Sequence, residues 1–124
     1  MSVKFLEGQP VADAVLVEVK NKIEQLKQKG ITPGLGTILV GDDPASAGYV
    51  RKKHEACELH GLNSFDRHIP ATGTQQDLLD SVKEFNENPN IHAYLIQYPL
   101  PEGFDFAEAL LAMNPDKDAD CLHP

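Results

Sequence analysis

Apolar positions recur along this sequence with two different patterns, one typical of helices and one typical of buried strands. After Pro10, apolar residues repeat at intervals of four and three up to the stop at Gly30: Val11, Val15, Val19, Ile23 and Leu26. This spacing predicts an amphipathic helix. Residues 35–40 form an apolar stretch, punctuated by glycine, that ends in the turn Gly41-Asp42-Asp43-Pro44. Such a run predicts a buried strand that leads into a helix.

The rest of the chain continues this alternation of strands and helices. The pattern predicts a helix at about 44–60, capped by Asp43 and stopped by Gly61, then a strand at 64–69, a helix at 74–86, a strand at 91–97 and a helix near 106–113. Strands that alternate with helices form parallel βαβ units. We therefore expect an α/β fold, a three-layer α-β-α domain with a mostly parallel sheet. With no linker or repeat, residues 1–124 should form one domain, whose ligands bind outside the carboxyl ends of the strands.

Composition narrows the class of partner. The chain has 124 residues, 41% of them hydrophobic, and a formal net charge of −8. This charge disfavours nucleic acid and anionic membrane surfaces as partners, so we expect a small organic ligand. The sequence has no long apolar run and no secretory signal, which favours a cytoplasmic protein. Cys57 and Cys121 lack metal or disulfide spacing and should be reduced, with Cys57 in the core.

The predicted helix at 44–60 carries the first candidate chemistry. On a helical wheel, four residues form an inward stripe, Ala47, Val50, His54 and Cys57, and the charged residues Arg51, Glu55 and Glu58 form a solvated side. Tyr49 and Lys53 lie one turn apart on a separate flank, where neighbouring alanines leave space for a flat ligand. A lysine on this flank can be desolvated, which favours the neutral amine that acts as a base. Alternatively, Tyr49 is an interface aromatic and the Lys53 stem lies along the surface.

A second signal falls on the same expected edge of the sheet. Gln97 stands at the carboxyl end of the strand at 91–97, near the predicted start of the Tyr49 helix. A glutamine here binds a ligand or simply holds a loop. The segment Pro115-Asp116-Lys117-Asp118-Ala119-Asp120 adds carboxylates, or forms a solvated turn. The histidines show no metal-ligand spacing, so we expect no metal. Gly34-Leu35-Gly36 precedes a strand, unlike a dinucleotide fingerprint, so we expect no cofactor-binding residues in this chain.

Four ordered motifs resemble one known family. They are Val40-Gly41-Asp42-Asp43-Pro44-Ala45-Ser46, Tyr49-Val50-x-x-Lys53, Gln97-x-Pro99-Leu100-Pro101 and Pro115-Asp116-Lys117-Asp118-Ala119-Asp120. In this order the sequence resembles the bifunctional methylenetetrahydrofolate dehydrogenase/methenyltetrahydrofolate cyclohydrolase family, over nearly its whole length. The resemblance implies the folate-binding catalytic domain of an enzyme of one-carbon metabolism and purine biosynthesis. Its ligands would be tetrahydrofolate derivatives.

The resemblance also implies roles for particular residues. Lys53 would be the catalytic lysine, Tyr49 the tyrosine beside the folate ring, Gln97 the partner of the lysine, and Asp120 the pterin-binding aspartate; Pro99 and Leu100 would complete the substrate site. Water would attack the methenyl carbon with help from Lys53 and Gln97, giving 10-formyltetrahydrofolate. The dehydrogenase step uses NADP, for which the family has a later Rossmann-like domain, and the full-length protein would be a homodimer. Since the sequence stops at Pro124, we expect a fragment with at most residual cyclohydrolase activity.

Two positions depart from the family pattern. Tyr98 stands where leucine is usual, and Cys121 stands where glycine is usual. Because glycine adopts backbone conformations that a side chain resists, Cys121 is expected to weaken the placement of Asp120. The alternative to an enzyme fragment is a non-catalytic α/β ligand-binding or interaction module that keeps the motifs as packing.

Overall fold

A computed structural model describes residues 2–124 and contains alternating helices and strands. The elements in chain order are α1 (Gln9–Gln28), β1 (Gly34–Val40), α2 (Pro44–His60), β2 (Asn63–Ile69), α3 (Gln75–Glu87), β3 (Ala93–Ile96), α4 (Phe106–Ala112) and a short 3₁₀ turn (Pro115–Lys117). The predicted order and type of every helix and strand are confirmed. No helix in residues 2–124 has the length and apolar character needed to cross a membrane.

The chain divides into two compact units, one ending at Thr32 and the other running from Pro33 to Pro124. The first unit contains α1, whose predicted apolar stripe is only partly buried. Ile23 is 5% exposed, whereas Val11 and Val15 are 65% and 52% exposed. The predicted helix is confirmed, and the apolar residues in its first half are exposed. The single domain at 1–124 stays a prediction.

The second unit is built on a three-stranded parallel sheet in the order β2-β1-β3. The chain crosses from β1 to β2 through α2, and from β2 to β3, on the other side of β1, through α3. Right-handed crossovers in opposite directions place their helices on opposite faces of a sheet. The predicted α/β fold with a parallel sheet is confirmed, and the connections diverge at the carboxyl ends of β1 and β3.

One face of the sheet holds the hydrophobic core of this unit. Alternate strand residues, including Ile38, Val40, Tyr94 and Ile96, pack against Leu78, Val82 and Phe85 of α3 and against Ala109 and Met113 of α4. Burial raises the pKa of Tyr94, helped by the charge of Asp118, so its hydroxyl stays a donor. It donates to Asn86 Oδ1 at 2.6 Å. This packed face gives the opposite face a rigid support.

The opposite face lies under α2, whose ends are fixed by local sequence. The Asp43 carboxylate accepts a hydrogen bond from the Ser46 amide at 2.9 Å, as predicted for its cap. Gly61 ends the helix with φ +82°, a left-handed conformation that glycine adopts without strain. Asp43 thus sets where α2 begins, beside the carboxyl end of β1, and Gly61 sets where it ends.

The predicted inward stripe of α2 is partly wrong. Cys57 is buried as predicted, but Ala47 is exposed and Ser46 is buried instead. The helix is therefore rotated so that the flank of Ser46 and Lys53 turns towards the sheet. The helical-wheel prediction was wrong for Ala47 because an alanine is small enough to be exposed to solvent at little cost in free energy.

Candidate active site

Lys53 and Gln97 come together at the carboxyl end of the sheet. Gln97 follows the last residue of β3, and its amide continues the ladder by donating to Ile38 O at 2.9 Å. Lys53 is half-buried on α2, and its Nζ donates a hydrogen bond to Gln97 Oε1 at 2.7 Å. The side chain of Gln97 is 9% exposed and also donates to the carbonyl of Tyr98 at 3.2 Å. The amide of Gln97 therefore holds the lysine amine in a defined place.

Tyr49 lies one turn before Lys53 on α2, with 55% of its surface exposed. Residues four apart on a helix share a flank, so Tyr49 lies on the same flank of α2 as Lys53. An exposed aromatic next to a shielded polar pair provides a surface for stacking a flat ring. The structure thus places Tyr49 on the predicted flank.

Pro99 and Leu100 follow Gln97 directly. The peptide bond between Tyr98 and Pro99 is cis. Pro99 is exposed, whereas Leu100 is half-buried and packs against the core. The Tyr98 ring, 64% exposed, packs at 5.2 Å between ring centroids on Phe106 of α4. Tyr98 therefore adds an aromatic surface next to Gln97, at the position where the resembled family has leucine.

Asp120 follows a short segment that pairs with β3. Asp118 forms a parallel bridge with Tyr94, and Ala119 donates its amide hydrogen to the Tyr94 carbonyl at 3.1 Å. The chain then turns at residues 119–120, where the Asp120 amide donates to Asp118 Oδ1 at 3.2 Å and Asp120 is exposed. The segment at residues 115–120, which was predicted either to add carboxylates to the site or to form a solvated turn, contains a 3₁₀ turn followed by this bridge.

Cys121 has the backbone conformation that its comparison with glycine led us to expect. Its φ is 57°, and it is the one non-glycine residue with positive φ among residues 2–124. A side chain in this left-handed region costs about 1–2 kcal/mol. The strain falls on the residue that follows Asp120.

Both cysteines are free thiols, as expected. Burial, and then the nearby charge of Asp66, raise the pKa of Cys57. A raised pKa lowers the thiolate fraction, so Cys57 is a core residue and a poor nucleophile.

The sequence interpretation missed two features near this pair. Ser46 is 2% exposed at the start of α2 and precedes Lys53 by seven residues, so it shares the Lys53 flank. That spacing was readable from the sequence. The other missed feature is a group of polar contacts between His54, Asp66 and Thr37, which depends on strand register and has no local signal.

The glycines of β1 do not fit a dinucleotide site. A Cβ on Gly36 would lie 2.8 Å from the ring of Phe85 and 2.9 Å from Tyr94 Cβ, so Gly36 is required by packing. The turn after β1, where a pyrophosphate would lie in such a site, carries Asp42 and Asp43, and Asp43 already caps α2. Nothing in this turn is suited to binding a phosphate.

Two other places carry no comparable chemistry. A depression of about 310 Å³ is lined by residues of β2 and α3, among them Arg67 and Glu84, which form a 2.8 Å ion pair. It contains none of the predicted site residues. Within residues 2–124, no group of three or more His, Cys, Asp or Glu side chains is arranged to hold a metal ion, and the expectation of no metal stays a prediction.

The fold and this pair define a class of protein: a parallel α/β domain with a shielded amine and an amide at the ligand-binding edge of its sheet. Residues 6–120 match the sequence profile described as tetrahydrofolate dehydrogenase/cyclohydrolase, catalytic domain. The chain belongs to this family.

Individual relatives agree with this assignment. The chain is 59% identical over 124 residues to the bifunctional protein FolD of Syntrophotalea carbinolica, covering 100% of this chain and 43% of that protein. The crystal structure of the bifunctional enzyme FolD from Campylobacter jejuni superimposes with a TM-score of 0.95 at 36% identity, covering 99% of this chain and 44% of that one.

A third relative was solved with ligands. The Trypanosoma brucei methylenetetrahydrofolate dehydrogenase-cyclohydrolase, complexed with NADP cofactor and inhibitor, superimposes with a TM-score of 0.91 at 37% identity, covering 98% of this chain and 42% of that one. The chain therefore spans less than half the length of the relatives it matches.

Proposed function

We propose that this chain binds the folate substrate and supplies the catalytic lysine of a bifunctional methylenetetrahydrofolate dehydrogenase/cyclohydrolase. The single observation that carries the proposal is the 2.7 Å hydrogen bond between Lys53 Nζ and Gln97 Oε1 at the carboxyl edge of the sheet. Family membership supports the reaction, and the geometry supports these two residues as its centre.

In the proposed cyclohydrolase step, a water oxygen bonds to the methenyl carbon of 5,10-methenyltetrahydrofolate. The neutral Lys53 amine accepts one water proton, the bond from that carbon to N5 breaks, and N5 takes up a proton as the second water proton leaves. One proton is released overall, and the product is 10-formyltetrahydrofolate. The hydrogen bond to Gln97 Oε1 fixes the place from which the amine would act on this water.

The other residues of the edge bind and orient the ligand. Tyr49 stacks on the folate ring, and the exposed Asp120 carboxylate accepts hydrogen bonds from the pterin amino group and ring NH. Pro99 and Leu100 form the wall after Gln97. With the ligand bound by both Tyr49 and Asp120, its methenyl carbon is held near the Lys53 amine. Such positioning is the main contribution of binding residues to the rate.

The dehydrogenase step needs NADP, and the turn after β1 does not fit it. We therefore assign NADP binding to residues outside this chain and derive no hydride step here. The full-length protein is proposed to be a cytoplasmic homodimer of one-carbon metabolism that supplies purine biosynthesis.

The proposal is tested by changing one of two neighbouring lysines. In Lys53→Met, methenyl hydrolysis should fall about 10²–10⁴-fold because the general base is lost, while affinity for a tetrahydrofolate analogue stays within a few-fold. Lys52→Met is the matched control, because Lys52 is exposed on the same helix. Hydrolysis is followed by the loss of methenyl absorbance, and binding by tyrosine fluorescence or thermal shift.

The outcomes separate the proposal from the alternative of a non-catalytic module. Binding without hydrolysis above the rate in buffer would leave only a ligand-binding module. Equal hydrolysis by both lysine variants would remove Lys53 as the catalytic base. Absence of binding at high analogue concentration would remove the folate site altogether.

A further inference from the structure

Polar contacts link α2 to the two strands beneath it. His54 Nδ1 lies 2.8 Å from Asp66 Oδ2 and 3.0 Å from Ser64 Oγ. Thr37 donates its hydroxyl hydrogen to Asp66 Oδ1 at 2.5 Å. Thr37 is 2% exposed and is paired in register with Asp66, so the contacts reach the central strand of the sheet. The imidazole of His54 is thus linked, through Asp66, to the central strand of the sheet.

The imidazole is held from both sides. Its other nitrogen, His54 Nε2, lies 3.2 Å from Glu58 Oε1 one turn along the same helix. The side chain of His54 is 40% exposed, so solvent reaches it from only part of its surroundings. The charge of Asp66 also contributes, after burial, to the raised pKa of Cys57 on the same helix. Asp66 therefore acts within the seam between α2 and β2, not as an isolated surface carboxylate.

Lys53 and His54 are consecutive residues that reach towards different strands. Side chains of consecutive residues diverge by about 100° around a helix. Lys53 contacts Gln97 after β3, and His54 contacts Asp66 in β2, while β1 lies between these two strands. Two diverging contacts from one turn restrain the rotation of the helix about its axis more than either contact alone.

Small rotations matter because the lysine amine is far from the helix axis. Its nitrogen lies at the outer radius of the helix, roughly 6 Å from the axis, so a rotation of about 10° moves it about 1 Å. A misplacement of about 1 Å can lower a rate by roughly 10²-fold. The contact that limits this rotation therefore affects the chemistry without touching the ligand.

We propose that His54 is a positioning residue that, through Asp66 and Thr37, sets the rotation of α2 and keeps the Lys53 amine on Gln97. The proposal rests on the proposed function for its effect on hydrolysis. The effect of His54 on the position of the Lys53 amine does not depend on that function.

The first experiment measures the placement of Lys53 directly. The chain is treated with a limiting amine-acylating reagent, and the labelling of each lysine is read by mass spectrometry. In His54→Ala, labelling of Lys53 should rise about threefold or more because its amine leaves Gln97 more often, while labelling of Lys52 and Lys83 stays unchanged. His54→Gln, whose side-chain amide can still donate to Asp66, should restore most of the protection.

A matched control and a second variant keep this test decisive. His60→Ala removes a histidine from the last turn of the same helix, away from Asp66, and should leave Lys53 labelling unchanged. If His54→Ala does not fold, Asp66→Asn provides the comparison, because it keeps one acceptor oxygen and should give a smaller rise. Unchanged Lys53 labelling in the folded variant, or an equal rise in His60→Ala, overturns the proposal.

Kinetics then separate this inference from the function on which it rests. For methenyl hydrolysis, His54→Ala should lower kcat about tenfold and leave KM within about twofold, because the amine moves while the binding surface stays. His54→Gln should recover most of kcat. If the unchanged chain shows no hydrolysis but Lys53 labelling responds as expected, the proposed function fails and the positioning role stands. A loss expressed in KM alone contradicts the positioning role.

Discussion

The Lys53 amine and the Gln97 side-chain oxygen, 44 residues apart in sequence, form a 2.7 Å hydrogen bond across the carboxyl edge of the sheet. Lys53 is positioned by a helix that is capped at both ends, and Gln97 by the last ladder hydrogen bond of β3. Both partners are thus fixed by backbone structure. Catalytic groups on helices and strands are held more accurately than groups on loops.

Two replacements of Gln97 separate its role as a hydrogen-bond acceptor for the Lys53 amine from its effect on the charge of that amine. Gln97→Leu leaves the half-buried amine without its acceptor, so the free energy of unfolding should fall by about 1–3 kcal/mol and hydrolysis should fall with it. Gln97→Glu keeps an acceptor and adds a negative charge that stabilises the ammonium form, so stability should persist while hydrolysis falls. Urea denaturation and methenyl absorbance measure the two effects. Full hydrolysis in Gln97→Glu would argue against a neutral amine as base.

Cys121→Gly should stabilise the chain. Glycine adopts the observed φ of 57° without the steric cost of a Cβ, so the variant should gain about 1 kcal/mol against unfolding, offset in part by the freer unfolded chain. We also expect tighter binding of a folate analogue, since Asp120 precedes this residue. Cys121→Ala, which keeps a Cβ, is the control. Equal stability of the glycine and alanine variants would show that the position carries no strain.

The two thiols should react at very different rates. Burial and the Asp66 charge raise the pKa of Cys57, so at neutral pH less of it is thiolate, while Cys121 is exposed. A chromogenic disulfide reagent should therefore label one thiol quickly and the second only slowly until the chain is unfolded by denaturant. In Cys121→Ser the fast phase should vanish. Two equally fast thiols in the native chain would contradict the buried position of Cys57.

The glycine in the middle of β1 should not tolerate a side chain. In Gly36→Ala the new Cβ would meet the Phe85 ring at 2.8 Å, so we expect a loss of about 1–3 kcal/mol in unfolding free energy. Gly48→Ala on α2 is the matched control, because nothing lies within 4 Å of its added Cβ and alanine favours helices. That variant should gain about 0.5–1 kcal/mol. A neutral Gly36→Ala would mean that Phe85 moves aside freely.

The helices and strands were predictable because their signals are local. Caps such as Asp43 and Gly61 set the bounds of α2, and a glycine-punctuated apolar stretch marks β1. β3 is shorter than the predicted strand at 91–97, because His92 exchanges contacts with Gly34, partly through its ring nitrogen, instead of extending the ladder. The sequence contains no local sign of that exchange.

The site was predictable to a smaller extent. Tyr49 and Lys53 share a flank through helical spacing, and Gln97 follows from the end of a strand. The contact between His54 and Asp66 depends on how β1 and β2 pair, and the exposure of Ala47 depends on the rotation of the packed helix. Both are properties of tertiary packing, which spacing along one helix does not contain.

The strand order leaves the two margins of the sheet unequal. The outer side of β3 is partly occupied by residues 118–119, whereas no strand among residues 2–124 pairs with the outer side of β2. Along that open margin lie Asp66 and Arg67, and charged side chains on an edge strand discourage pairing with a strand of another molecule. Because Asp66 is one of the charged residues of this edge strand, we expect its replacement by a neutral residue to lower solubility along with any loss of rate.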